Sequence, residues 1–315
     1  MTQVAEQQRY PDDEIDLREL FLALWHGKWL IFVATFVFAA TGALYALYKP
    51  NIYLSTVLLA PASEENTGIS SVGGGLGGLA SLAGISLGNS GSNQTVIGQE
   101  ILKSRKFQTE FIREHNLAPL LIAVEGWERE TNELIYDLDL YDPTEKQWQQ
   151  STKGRSQTPT DWELVEKFRE EHFSISESKD TGMISINLKH YSPIVAKNWA
   201  DWLVQDINSY LREQDVKEAE LRVEYLEKKL KTTQVAEMQK IFYQLIENET
   251  RTIMLANAQK EYAFKTIDPA VSAEEKHEPK RSVIVAIFTL LGGAIGVAGA
   301  LAHNYFSKKQ PIREH

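Results

Sequence analysis

Three carboxylates have the spacing that could hold a metal ion. Asp137, Asp139 and Asp142 lie within IYDLDLYD, and paired carboxylates of this kind can bind a divalent cation on the diphosphate of a sugar nucleotide. No nucleotide-sugar domain surrounds them in the sequence. A solvated surface loop is therefore the favoured interpretation, and we expect neither a metal site nor catalytic residues here.

A second pattern points to phosphate binding. Gly73, Gly75 and Gly78 match GxGxxG within a glycine-rich segment, 68–92. The pattern has no clear strand before it or helix after it, and the chain contains no GxxxxGK[ST]. No nucleotide cofactor is therefore predicted, and the segment is interpreted as a flexible loop or as an apolar flap near the membrane or a neighbouring subunit.

Aromatic and histidine residues offer the remaining chemistry. Trp127 and Trp148 could stack on sugar rings, whereas Trp199 and Trp202 are interpreted as anchors of a core. The seven histidines are scattered, form no HExxH motif and are interpreted as surface residues. These residues predict no enzyme activity and no cofactor.

Two uncharged runs near the ends are long enough to cross a bilayer as helices of about 30 Å. They are 29–48 and 282–302, each flanked by Lys or Arg. An uncleaved anchor fits the first run better than a signal peptide, because 28 residues rich in acid precede it. The weak excess of positive charge near the termini favours cytoplasmic tails at 1–28 and 303–315, which leaves 49–281 on the other side of the membrane.

The second run carries small residues every four positions, at Gly292, Gly296 and Ala300. Such a face lets another helix approach closely. Its partner is either the first run, where Ala39 and Ala43 match, or another protein; the alternative is the ordinary glycine content of membrane helices. Replacement of both glycines by Leu should disturb the packing of the helix and the assembly that depends on it.

Residues 50–281 hold 36 of the 43 acidic and 26 of the 33 basic residues, so this part of the chain carries a net charge of −10, equal to that of the whole chain. This excess of acid argues against nucleic acid as a partner. The chain has no cysteine, which excludes a disulfide framework and thiolate chemistry.

The pattern between the runs predicts an α+β domain with a long projecting helical hairpin. Strands are expected at 52–60, 184–188 and 262–267, and a helix at 95–115 should pack on them. Ser192 and Pro193 begin a helix expected to reach 231, about 60 Å long, followed by a second helix at 234–262.

A heptad seam runs along the first of these helices. Because a projecting helix with an apolar seam needs a partner, we expect lateral packing against identical subunits in a closed ring. The seam residues are Val216, Ala219, Val223, Leu226 and Leu230.

Several blocks, in order, resemble the bacterial polysaccharide co-polymerases, the Wzz chain length determinant family. They are DDEIDLRELFLALWHGKWLI, YDLDLYDPTEKQW, KDTGMISINLKHYSPIVAKNWADWLV, IMLANAQKEYAFKTIDPA and PKRSVIVAIFTLLGGAIG. The family's region before the second span is typically rich in proline. Here it retains Pro269 and Pro279, whereas Ala and Glu stand where further prolines are expected.

The resemblance implies a non-enzymatic regulator in the inner membrane of a Gram-negative bacterium. Its expected partners are copies of itself in a ring, for which an octamer is one option, a Wzy-type polymerase, a growing lipid-linked polysaccharide such as O-antigen, and membrane lipid. The form expected is the short one without a kinase domain. The alternatives are a two-pass periplasmic sensor or adaptor, a component of capsule or exopolysaccharide export, and a glycosyl-transferring enzyme.

Overall fold

The computed structural model describes residues 24–62, 90–149 and 158–308, and these form two compact units. One unit contains 24–50 and 278–308, and the other contains 51–277. Most of the predicted N-terminal tail and all but the end of the glycine-rich segment lie outside the described residues.

The helices and strands are labelled here in chain order. The helices are α1 (Lys28–Tyr48), α2 (Ser90–Lys103), α3 (Arg105–Glu114), α4 (Ala118–Ile122), α5 (Asp161–Lys167), α6 (Pro193–Thr232), α7 (Ala236–Ala258) and α8 (Arg281–Lys308), with a π-helical turn at Phe168–His172. The strands are β1 (Tyr53–Pro61), β2 (Val124–Trp127), β3 (Leu134–Tyr136), β4 (Tyr141–Asp142), β5 (Gln147–Trp148), β6 (Phe173–Glu177), β7 (Ile184–His190) and β8 (Phe264–Asp268).

The larger unit is built on a four-stranded antiparallel sheet with the order β6-β7-β1-β8. Val57 of β1 pairs with Ile186 of β7, which also pairs with Ile175 of β6. Alternate residues of β1 and β7 are buried, as expected when one face of an antiparallel sheet packs on a core. The mixed helix and strand class predicted from the sequence is confirmed by this arrangement.

The first half of α6, residues 193–212, covers that face of the sheet and is called the proximal half; the remainder of the helix is the distal half. Ser192 caps its first turn by accepting a hydrogen bond from the Val195 amide, and Pro193 occupies the first helical position, where its missing N–H leaves no hydrogen bond unmade. The residues buried against the sheet recur every three or four positions. They are Ala196, Trp199, Ala200, Leu203, Val204, Ile207 and Leu211.

The single helix predicted at 95–115 is wrong, because the chain forms α2 and α3 instead. Ser104 between them is extended, and its hydroxyl accepts a hydrogen bond from the Phe107 amide. The serine therefore caps α3, since a serine side chain can satisfy an amide that has no partner within the helix. Both helices contribute to the core, through Leu102 of α2 and Phe107 and Phe111 of α3.

Beyond the sheet, α6 continues and α7 packs against it as the second arm of a hairpin. The 40 residues of α6 give a helix of about 60 Å. The second arm is shorter than predicted, because α7 ends at Ala258 and Tyr262 lies in the connection that leads to β8.

Candidate functional site: the helical hairpin and the paired spans

One buried amide joins the hairpin to the sheet. Asn208 of α6 accepts hydrogen bonds from the Ala263 and Phe264 amides at 2.8 and 2.9 Å, and it donates to the Phe264 and Val204 carbonyls. One amide side chain thus provides the acceptor for two backbone N–H groups and the donors for two backbone carbonyls. The Asn208 side chain therefore fixes where the chain leaves the hairpin and enters β8.

A second contact between α6 and the returning chain lies two turns further along α6. The Tyr262 hydroxyl donates to the Asp215 carboxylate over 2.7 Å. This contact lies between α6 and the connection that follows α7, so it also holds the returning chain against α6. Sequence reasoning missed both Asn208 and Asp215, because a lone polar residue within a helix gives no periodic signal.

The predicted seam of α6 is covered from within the same chain. Ala219 is fully buried, as is Ala256 of α7, although neither belongs to the core over the sheet. The other four seam residues, Val216, Val223, Leu226 and Leu230, are half-buried. Because α7 packs along α6, the seam has an intramolecular partner, and its use between copies of the chain stays a prediction.

A groove lies between the two arms of the hairpin. It has a volume of about 400 Å³ and is lined by Leu221, Arg222, Tyr225, Leu226, Leu245 and Glu249. Arg222 forms an ion pair with Glu249 across the arms at 3.0 Å. The large apolar side chains around this pair are exposed, with Tyr225 at 60% and Leu221 at 58%, so the groove presents a surface for another apolar group.

Further apolar side chains extend this exposed surface along α7. Met238, Ile241 and Leu245 follow helical spacing and are each more than 40% exposed. Sequence reasoning did not identify these residues as an exposed surface, because it predicted only a helix at 234–262 here. The spacing of three and four was the signal that could have identified them.

The smaller unit consists of α1 and α8, which pack against each other. Both are long and apolar enough to be candidate membrane spans, over Lys28–Tyr48 and Arg281–Asn304. A side chain built at Gly292 would lie 2.6 Å from Cβ of Phe38, and one at Gly296 would lie 2.8 Å from Cα of Ile31. The absence of side chains at these glycines is therefore what lets the first helix approach so closely.

The predicted small residues of the two helices share this interface only in part. Gly292, Gly296 and Ala300 are all buried within the unit, whereas Ala39 and Ala43 are half-buried. Toward the other end of α1, Gly42 lies close to α8, because a side chain added there would lie 2.6 Å from Cβ of Phe288. Gly42 is thus the small residue of α1 that the sequence reasoning missed.

The two prolines expected from the family resemblance lie in different units. Pro269 directly follows β8, and the neighbouring Ala270 is buried in the core. Pro279 precedes α8 and follows a cis peptide bond.

The carboxylates of IYDLDLYD form turns. Asp137 accepts a hydrogen bond from the Asp139 amide, and Asp142 accepts from the Thr144 and Glu145 amides. Such side chain to backbone bonds are what Asp residues ordinarily provide in turns. Within the described residues, no group of three or more metal-ligating side chains is present.

The two candidate sugar-stacking residues each pack against a tyrosine. Trp127 lies edge-on to Tyr53, with ring centroids 5.4 Å apart, and donates to Asn132. Trp148 lies 5.1 Å from Tyr141 in the hairpin formed by β4 and β5. Both rings are half-buried, and their role in binding sugar stays a prediction.

The prediction that all histidines are surface residues is wrong for His172 and His190. Both are buried against Trp199, and their ring centroids are 5.8 Å apart. Nδ1 of His190 accepts from the Ser192 amide, so the proton of the neutral ring lies on Nε2, which contacts the Leu120 carbonyl. A second proton on this ring would face an N–H donor.

Burial is the main cause that lowers the pKa values of both histidines. The pKa of His190 falls to about 3, and the neighbouring His172 contributes to that decrease. The pKa of His172 is also lowered, although the Lys189 carbonyl, which Nδ1 contacts at 2.7 Å, partly opposes the effect of burial. Both rings are therefore neutral at pH 7.

Comparison with family models gives two matches. Residues 13–115 match the model Wzz, chain length determinant protein, and residues 228–305 match GNVR, the G-rich domain on putative tyrosine kinase. No curated protein sequence matches the chain significantly.

Among solved structures, the chain is similar to a full-length bacterial polysaccharide co-polymerase. The TM-score is 0.40 and the sequence identity 14%, over 94% of this chain and 99% of the other.

Proposed function

We propose that this chain is a member of the Wzz chain length determinant family, whose model matches residues 13–115, and that it regulates the length of a surface polysaccharide as an oligomeric co-polymerase. In this role it acts without catalysing the transfer of sugars itself. It works beside a Wzy-type polymerase on a lipid-linked polymer such as O-antigen.

The observation that carries the proposal is the exposed apolar surface of the hairpin. Tyr225, Leu221 and Leu245 surround an open groove between the two arms, and each of these side chains is more than 40% exposed. Exposed apolar patches of this kind on soluble domains commonly mark association sites. Copies of the chain that pack side by side would cover these side chains.

The two candidate spans support a membrane location for this assembly. They lie near both ends of the described chain, with residues 51–277 between them. We propose the inner membrane, with the tails in the cytoplasm and the central unit in the periplasm. Basic residues at the helix ends mark the interfaces: Lys280 and Arg281 where α8 begins, and Lys28 and Lys49 at the two ends of α1.

The test of function is genetic. Deletion of the gene should change a surface polysaccharide with a preferred length into one with a broad length distribution on a gel, and the wild-type gene should restore the preferred length. If the distribution is the same with and without the gene, the proposed function is wrong.

The test of the hairpin uses Tyr225→Glu with Leu245→Glu. Charged groups in the covered groove would have to be desolvated on assembly. We expect the particle mass in detergent to fall by light scattering and the preferred polymer length to be lost.

The matched control is Gln214→Glu with Gln244→Glu, which adds the same charge at exposed positions of the same two helices. This control should keep both the particle mass and the length distribution. Equal behaviour of the two double variants would show that the groove is not the association surface.

A further inference from the structure

A cavity lies between the ends of the two candidate spans. Its volume is about 280 Å³, and it belongs entirely to the unit formed by α1 and α8. The lining residues come from the start of α1 with the residues before it, and from the end of the apolar part of α8. They are His26, Gly27, Trp29, Leu30, Ala300, His303 and Asn304.

The lining residues favour an anion. His26, His303 and Asn304 each carry N–H groups that can donate hydrogen bonds, and none of the lining residues is a carboxylate. Lys28 lies beside the cavity in sequence, exposes its side chain and contacts the ring of Trp25 at 4.8 Å. A divalent cation is disfavoured, because the two histidines have no third His, Cys, Asp or Glu ligand among the described residues of the cavity.

The position along the spans identifies the source of that anion. The cavity lies where the apolar part of each helix ends, at Trp29 in α1 and after Ala302 in α8. Trp29 is 71% exposed and Trp25 is 58% exposed, and tryptophans of this kind sit at the level of the lipid headgroups. In a bilayer, the phosphate esters of the lipids lie at this same level.

We propose that this cavity is a binding site for the phosphate ester of a membrane lipid headgroup. His26 and His303, one from each helix, hold the phosphate oxygens together with Asn304. Pockets with cationic or donor groups between membrane helices are suited to such headgroups. The site rests on the proposed insertion of both helices in a bilayer, and it ties the ends of the two helices together through one lipid.

The experiment uses the full chain in a maltoside detergent and counts bound molecules by native mass spectrometry. The probes are dihexanoyl phosphatidylglycerol, inorganic phosphate, and dihexanoylglycerol, which has the same acyl chains but no phosphate. We expect the phosphatidylglycerol to bind and the dihexanoylglycerol not to bind. Binding of inorganic phosphate without any binding of the phospholipid would overturn a lipid as the occupant.

Two double variants and one control variant locate the site. His26→Ala with His303→Ala should weaken phosphatidylglycerol binding at least about tenfold, because hydrogen bonds to a charged group are lost. His26→Gln with His303→Gln keeps a donor on each helix and should recover part of the affinity. His277→Ala, which removes an exposed histidine of the other unit, should bind as the wild type does.

Equal affinity in the wild type and the His26→Ala, His303→Ala variant would overturn the proposal. All three variants should elute as the wild type does on size exclusion, which separates lost binding from lost folding. A failure here leaves the proposed function untouched, since that function is judged by the polysaccharide distribution and this one by lipid affinity.

Discussion

The two halves of α6 have the same helical backbone and opposite surroundings. In the proximal half, Trp199, Leu203 and Ile207 are completely buried against the sheet. In the distal half, Ala219 is the one buried residue, and Leu221 and Tyr225 stay exposed. The proximal half is held by the burial of large apolar side chains, and the distal half by a narrow contact with α7.

This difference distinguishes the part of α6 that is stabilised by contacts within the chain from the part whose apolar surface is exposed for contacts with other molecules. The proximal half has its partner in the sheet, so its sequence is determined by packing. The distal half buries little, and its ion pairs, each with at least one side chain about half exposed or more, contribute little stability in water. The hairpin is therefore the part of the central unit whose apolar surface is available for association.

The largest loss of stability is expected for a substitution of Trp199 in the proximal half. Trp199→Ala removes the largest completely buried side chain, where the rings of Phe168, His172 and His190 also meet. We expect a loss of about 3–5 kcal/mol and a decrease of the melting temperature by about 10 °C. Circular dichroism of the full chain in detergent measures both the helix content and the transition.

The control for this variant is Trp162→Ala, at a tryptophan that is 58% exposed in α5. Its change should stay within about 0.5 kcal/mol, as for most surface substitutions. A similar loss for the two variants would show that the proximal half of α6 does not dominate the stability of the central unit.

The second largest effect is expected where the two halves meet, at Asn208. Asn208→Leu leaves the buried Ala263 and Phe264 amides without their acceptor, at a cost of about 2–3 kcal/mol. Hydrogen exchange at these two amides should rise more than exchange in β1.

Asn257→Leu, at an exposed position of α7, is the matched control and should leave both amides protected. Unchanged protection of the Ala263 and Phe264 amides in Asn208→Leu would contradict the assigned role of the Asn208 side chain.

The third effect depends on pH and arises at His190 of β7, whose ring packs on Trp199 of the proximal half. Above about pH 6.5, His190 is neutral in both the folded and the unfolded chain, so it contributes no pH dependence. Below that value the unfolded chain binds a proton, whereas the folded chain, with a His190 pKa of about 3, does not. The free energy of unfolding therefore decreases as the pH decreases between these two values. At pH 5 the loss relative to neutral pH is about 2 kcal/mol.

His190→Gln keeps an acceptor for the Ser192 amide and removes the titrating group. The melting temperature of the wild type should fall between about pH 7.5 and about pH 5, and the fall should be smaller in His190→Gln by about 4–8 °C. If the two proteins lose the same stability on acidification, His190 is not the group that titrates.

The sequence predicted the elements with strong periodicity and capping signals. Ser192 with Pro193 placed the start of α6 at its observed first residue, and uncharged runs identified α1 and α8. The burial of Gly292, Gly296 and Ala300 on one face agrees with their spacing.

Elements that depend on distant contacts could not be predicted in the same way. The break at Ser104 is one short polar residue within an apolar periodic pattern, and β2 to β5 are hairpins of two to four residues per strand, too short to alternate clearly. The burial of His172 and His190 follows from Trp199 and from backbone partners far along the chain. The covered seam of α6 depends on α7, which single-helix periodicity does not reveal.

The smallest effect is expected in the distal half. Arg222 pairs with Glu249 of α7 and, at 3.3 Å, with Glu218 of its own helix. Arg222→Ala should cost only about 0.2–1 kcal/mol, because the Arg222 side chain in both pairs is about half exposed to water. The melting temperature should fall by about 4 °C or less.

The same variant sharpens the distinction between stability and association. Arg222 lines the groove with Tyr225 and Leu245, so its removal changes the proposed contact surface more than it changes the folded chain. We expect Arg222→Ala to change the particle mass or the preferred polymer length with only this small change of melting temperature. The exposed Arg251, which pairs with Glu247 within α7, should tolerate Ala in both assays. A large loss of stability in Arg222→Ala would instead place the distal hairpin within the cooperative core.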